Sequence, residues 1–180
     1  MINKIEIGVI YGSTRPGRFC DRVAGWAARQ IAANTGLEAV VIDPLEIIET
    51  DELTRLIGDC DGFVVVTPEY NHGYPAPLKS LIDSVGAEWQ AKPVAFVSYG
   101  GVSGGLRAVE QLRQVFAELH AVTVRDSVSF AGAWEQFDST GVLFNPERAE
   151  RSMATMLARL RWWAAALRTA RAAEPFGAAS

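Results

Sequence analysis

Cysteine is nearly absent from this chain. Cys20 and Cys60 are the only two, and neither lies in a CxxC or metal-type spacing, which argues against a disulfide framework or a zinc module. Two thiols in a reducing compartment are expected rather than one bridge. An arginine-rich turn precedes Cys20, a setting that favours a thiolate, but a small side chain on a buried helix face explains the residue more simply. No segment approaches the length of a membrane span. The N-terminus has no basic region followed by a long apolar stretch, so no signal peptide is expected and the location should be cytoplasmic. The formal charge of -4 is mild, and no long basic run occurs. Both argue against nucleic acid as a partner.

What is present is a regular alternation. The chain has 180 residues, 49% of them hydrophobic, enough for one domain with a useful core. That domain is expected to occupy residues 1–172, with a disordered tail over 173–180. Ile5, Ile7, Val9 and Ile10 read as a first strand, and Val23, Trp26, Ala27 and Ile31 follow at helical spacing. Residues 39–42 make a second strand and residues 51–58 an acidic helix. Phe63-Val64-Val65-Val66 is a continuous apolar run, the mark of a strand covered on both faces. Leu78, Leu81, Ile82 and Val85 form a helix face, and residues 94–97 a fourth strand. The helix carrying Leu106, Val109, Leu112, Val115, Phe116 and Leu119 has Ser103 as its expected cap. A fifth strand spans 121–124, with a possible extension to Phe130. Asn145, Pro146 and Glu147 start the last helix. Five strands alternating with helices predict a doubly wound α/β fold with a parallel sheet in the flavodoxin-like order 2-1-3-4-5. In that order the ends of strands one, three and four lie side by side, and a ligand belongs in the crevice above them.

The loops after those three strands are the unusual ones. Gly12-Ser13-Thr14-Arg15-Pro16-Gly17-Arg18 joins a strand to a helix and combines amide donors, hydroxyls and two guanidinium groups, which suits a phosphate. It is neither a Walker A loop nor GxGxxG. Thr67 to Pro77 carries rigid prolines, two tyrosines and an amide, able to offer N–H groups and aromatic surface to a flat heterocycle. Ser98-Tyr99-Gly100-Gly101-Val102-Ser103-Gly104-Gly105 lets backbone approach a ligand closely.

Together, Gly12 to Arg18, Thr67-Pro68-Glu69-Tyr70-Asn71 with Lys79 to Asp83, and Ser98-Tyr99-Gly100-Gly101 with Gly104-Gly105 resemble the NADPH-dependent FMN reductase family, which includes flavin, quinone, azo-dye and chromate reductases. The resemblance covers residues 4 to 120 firmly and the remainder loosely. It implies noncovalent FMN, with NADPH or NADH as electron donor. Ser13, Arg15 and Arg18 would lie at the phosphate, although many members carry serine where this chain has Arg18. Pro68, Glu69, Tyr70 and Asn71 would line the isoalloxazine, largely through backbone. Ser98, Tyr99, Gly100 and Gly101 would flank the ring and ribityl chain.

The implied reaction is hydride transfer from NAD(P)H to flavin N5, then electron transfer to a small-molecule acceptor on the same face, with no side-chain acid or base required. A flavodoxin-like electron carrier without its own NAD(P)H reaction is the alternative. The resemblance further implies a homodimer or homotetramer, with the helix from Leu78 at the interface and Tyr70, Tyr74 and Trp89 as contacts. His72 reads as a solvent-exposed turn residue, and Trp134 and Phe137 as a substrate-side lid.

Overall fold

The computed structural model describes residues 4–46 and 49–177. Five strands, β1 (Ile5–Tyr11), β2 (Leu37–Ile42), β3 (Gly62–Pro68), β4 (Pro93–Gly100) and β5 (Val122–Ala131), alternate with five helices. The helices are α1 (Cys20–Ala32), α2 (Thr50–Asp59), α3 (Ala76–Asp83), α4 (Leu106–Glu118) and α5 (Glu147–Ala173). All strand pairs are parallel and the order is β2-β1-β3-β4-β5, as the pattern predicted. Every residue of β3 and β4 is buried, because helices cover both faces of a parallel sheet.

The strands obey the two-residue period. Ile7, Val9, Val64, Val66, Ala95 and Val97 pack with α1 and α5 on one face. Ile10, Phe63, Val65, Val94 and Phe96 pack with α2, α3 and α4 on the other. Trp89, which the sequence placed at a subunit contact, is fully buried in this second core. Its ring meets Phe63 and Phe116 edge-on at 4.9 and 5.5 Å, and its indole N–H donates to the Ile82 carbonyl at 3.1 Å. A large aromatic body with a satisfied polar tip is a core residue. Phe137 is likewise core rather than lid, packed on Phe130 and Phe19. Trp134 alone of the expected lid pair is exposed.

Lys92 is buried, and its Nζ donates to the Ile57 and Gly58 carbonyls at 2.7 and 2.6 Å, satisfying the carbonyl end of α2. Both cysteines are free and buried. Cys20 points its thiol at the Val66 carbonyl, so the small-buried-residue reading holds. Burial pushes the Cys20 thiol up to about 11 and that of Cys60 up to about 12, from 9.0. The folded protein thus keeps both protons to a higher pH than the unfolded chain. The associated stability is present in full below pH 9.0 and falls as pH rises through the folded values. Lys92, pushed down to about 8 by burial and the charge of Arg171, acts in the opposite sense, adding stability between about 8 and 10.5.

A Cys20→Ala/Cys60→Ala variant retains Lys92 and isolates the thiols. Its unfolding free energy should decline less steeply than wild type above pH 9.0. The native wild-type protein should leave both thiols unreacted by an aromatic disulfide reagent. Fast labelling of native Cys20 would contradict this packing.

Candidate active site

Adjacent registers bring three loops together. Tyr11 pairs with Val66 across β1 and β3, and Pro68 pairs with Tyr99 across β3 and β4. The segments that leave these strand ends (residues 12–19, 69–75 and 101–105) therefore share one crest. Gly12 closes the first against β3: its N–H donates to the Val66 carbonyl at 2.8 Å, and a Cβ there would lie 2.6 Å from that oxygen. In the third loop, Gly104 and Gly105 have φ of +60° and +84°. A Cβ on Gly105 would sit 2.8 Å from Ser98 Cβ and 3.0 Å from the Tyr99 nitrogen. Glycine is required there by both backbone angle and contact.

Side chains then tie the loops to one another. The Ser13 and Tyr70 hydroxyls are 2.8 Å apart, and the Arg15 guanidinium lies over the Tyr70 ring, 3.5 Å from its centroid. On the other side Glu69, almost fully buried, accepts from Ser103 Oγ at 2.8 Å and from the Arg107 amide at 3.2 Å, and forms an ion pair with the Arg107 guanidinium. Burial raises the Glu69 carboxyl, but the Ser103 and Arg107 hydrogen bonds outweigh it and hold the group below the usual carboxylate range. Arg107 also reaches His72 Nε2 at 2.8 Å, and Gln111 donates to the His72 carbonyl. Asn71 and His72 both have positive φ, +51° and +70°, so these contacts hold a strained turn.

The predicted site residues divide into groups. Arg15, Tyr70 and Asn71 lie at the crest, and Ser13 is wholly buried beneath it, with its hydroxyl on Tyr70. Pro68 ends β3. Ser98 is wholly buried, and its hydroxyl donates to the Gly104 carbonyl at 2.8 Å, shaping the third loop from below. The Tyr99 side chain is buried on the α1 face beside Phe19, where burial pushes its phenol up; only its backbone remains near the crest. Gly100 closes β4, and the space a Gly101 side chain would occupy is open. Ser103 serves the Glu69 network, while Gly105 stands at the α4 cap position.

The Arg18 guanidinium is engaged within the protein. It donates to Asp43 Oδ1 and to the Ser13 carbonyl, both at 2.8 Å, to Asp21 at 2.7 Å, and to Asp43 Oδ2. The Arg18 and Asp43 side chains are 8% and 6% exposed. Burial raises the Asp43 carboxyl, yet the Arg18 bonds, the Leu45 amide and the Arg18 charge together keep it lowered. Asp43 and Arg107 were not identified from sequence, and Ser103 was expected only as a helix cap; each acts through a partner distant in the chain.

What the crest offers a ligand is amide donors. The N–H groups of Thr14, of Asn71 and His72, and of Gly101, Val102 and Ser103 have no acceptor among the described residues. Arg15 forms no ion pair among them. Unpaired amides with one cation suit a phosphate at the first loop and a ring with carbonyl acceptors at the second and third. These donors fit FMN.

Comparison with known proteins agrees with this geometry. Residues 5–135 match the family model described as NADPH-dependent FMN reductase. The chain is 37% identical over 130 residues to an NAD(P)H-dependent FMN reductase of Schizosaccharomyces pombe, covering 61% of this chain and 64% of that protein. It is 34% identical over 178 residues to an NAD(P)H:quinone oxidoreductase of Solanum tuberosum, covering 86% and 90%. Among solved structures, the flavoenzyme NAD(P)H:(acceptor) oxidoreductase FerB of Paracoccus denitrificans superposes with a TM-score of 0.72 at 20% identity, over 88% of this chain and 97% of that one. The last likeness is one of fold.

Proposed function

This chain belongs to the NADPH-dependent FMN reductase family, and we propose that it is an NAD(P)H-oxidising flavoenzyme that passes electrons to a small-molecule acceptor such as a flavin or a quinone. The observation that carries this reading is the convergence of unpaired amides from three loops above β1, β3 and β4, with Arg15 at one end. FMN, when bound, would supply the redox chemistry, accepting hydride and giving up electrons.

The protein's part is binding and orientation. Thr14 and Arg15 would hold the phosphate, with Ser13 supporting the loop from beneath through Tyr70. Arg18 fixes the first loop to the end of β2 through Asp43 and does not contact the ligand. The backbones of Pro68, Glu69, Tyr70 and Asn71 would line the ring, and those of Tyr99, Gly100 and Gly101, shaped by Ser98, would serve its polar edge. The amide donors there favour the extra negative charge of reduced flavin. No side chain has to remove a proton for hydride transfer, and one exposed face serving donor and acceptor in turn predicts ping-pong kinetics.

Among the described residues no helix is long and apolar enough to cross a membrane. The enzyme is proposed to be a single domain that works in the cytoplasm. A homodimer or homotetramer joined through α3, with half-exposed Tyr74 at the contact, follows the family pattern; sedimentation equilibrium tests it.

Purified protein should be yellow, and anaerobic mixing with NADPH or NADH should bleach it within seconds. A flavin spectrum unchanged by either donor would leave the electron-carrier reading in its place. Arg15→Ala should weaken FMN binding by about 1–3 kcal/mol, the scale of a hydrogen bond to a charged group, read by titration of flavin fluorescence. Unchanged affinity would remove Arg15 from the phosphate.

A further inference from the structure

A cavity adjoins the third loop, and the proposed function gives it no role. It measures about 660 Å3 and lies along the unpaired edge of β5, between the start of α4 and the start of α5. That volume falls within the range of roughly 300–1,000 Å3 typical of small-molecule sites. At its crest end it is bounded by Val102, Ser103 and Ala131, so it opens from the loop whose amides face the ring. Val102 and Leu106 are exposed apolar surface there. The far end is polar, with Asn145, Arg148 and Ser152.

Arg148 is the only charged residue among those lining the cavity. It forms no ion pair or hydrogen bond among the described residues. The neighbouring Glu150 is within reach of Gln30 on α1, away from β5. Every other arginine of α5 with a described partner is engaged elsewhere: Arg159 with Asp126, Arg161 with the Thr35 carbonyl, and Arg168 and Arg171 with Asp61. An apolar mouth beside the flavin crest, leading to one unpaired guanidinium, suits a ligand with a flat ring at one end and an anionic group at the other. A guanidinium reads phosphate oxygens as a planar fork.

We propose that this cavity receives the adenosine end of the donor nucleotide and that Arg148 binds its 2′-phosphate, so that the enzyme prefers NADPH to NADH. The inference rests on the reductase reading, because it presumes a nicotinamide at the crest. A phosphate on the donor and an anionic group on the acceptor share the same chemistry, and the two half-reactions separate them.

The test is Arg148→Ala in the flavin-loaded enzyme, followed by stopped flow in each half-reaction. Arg148 is exposed on the first turn of α5, so the substitution leaves the fold intact. The ratio of NADPH to NADH efficiency in flavin reduction should fall by about tenfold or more, as expected on losing a charge-assisted bond. Calorimetric titration with adenosine 2′,5′-bisphosphate, which needs no turnover, should show a matching loss, with a much smaller change for AMP. An unchanged donor ratio, or an effect confined to reoxidation by an anionic quinone, would overturn the proposal and leave the reductase reading standing. A wild-type enzyme that neither donor reduces would sink that reading itself, and this inference with it.

Discussion

Arg18→Met should destabilise the protein by about 3–5 kcal/mol, the cost of removing one partner of a buried ion pair. The reason lies in what remains. Asp43 is 6% exposed and would keep a carboxylate with only the Leu45 amide as a described donor, at 3.0 Å. The carbonyl of Ser13 would lose its donor as well. The first loop would then be tied down chiefly by Gly12 and the Ser13–Tyr70 hydroxyl pair, and FMN affinity should fall along with stability. An Arg18→Met/Asp43→Leu double variant removes both charges and should recover much of the stability, because replacing a buried pair by apolar groups is often neutral. Recovered folding without recovered FMN binding would separate the loop's anchoring role from its stabilising one. Urea unfolding measures the first quantity. A single variant within 0.5 kcal/mol of wild type, the spread of ordinary surface substitutions (about ±0.5 kcal/mol), would contradict the account of Arg18.

Glu69→Ala should weaken FMN binding by about 1.5–3 kcal/mol, the range for hydrogen bonds to a charged group, or roughly tenfold to a hundredfold. Glu69 is proposed to act on the ligand through backbone alone. Its carboxylate joins the second loop to the third through Ser103 and Arg107, and Arg107 in turn holds His72. Without it the amides of Asn71 and His72 lose their fixed direction, and their positive-φ turn can relax. Glu69→Gln keeps the shape and an acceptor oxygen but not the charge, so it should fall between wild type and alanine. The Arg107 side chain is about half exposed, so the ion pair itself contributes little to global stability, and the unfolding midpoint should move far less than the affinity. Wild-type affinity in Glu69→Ala would show that the two loops hold their geometry independently.

Much of the fold could be read along the chain because its signals are local. The continuous apolar runs at Phe63 to Val66 and Val94 to Val97 are what a doubly covered strand needs, and they fall inside β3 and β4. The three unusual loops also stood out by composition, since glycine and proline mark backbone that must turn tightly. What was illegible depends on partners far apart in sequence. Arg18 and Asp43 are 25 residues apart, and nothing in either neighbourhood announces the pair. Glu69 and Arg107 are 38 apart. Ser103 lies close enough to the start of α4 to read as its cap, and its hydroxyl accepts from the Gly105 N–H there, but it also donates to Glu69, a partner no local pattern announces. Trp89 and Phe137 sit in polar-looking loops, and only the folded chain reveals that those loops tuck their rings into the core. The limits of β5 were hard to place because the strand is irregular against β4 near Val94, where Arg113 takes the Val124 and Arg125 carbonyls.

The central claim is that one planar phosphorylated ligand engages three separate loops at once. Backbone amide resonances of 15N-labelled protein, followed during titration with FMN, test it directly. Ser13 and Thr14, Asn71 and His72, and Gly101 and Val102 should shift together at a single saturation point, while amides along the edge of β5 stay in place. Shifts confined to one loop, or centred away from the ends of β1, β3 and β4, would contradict the account.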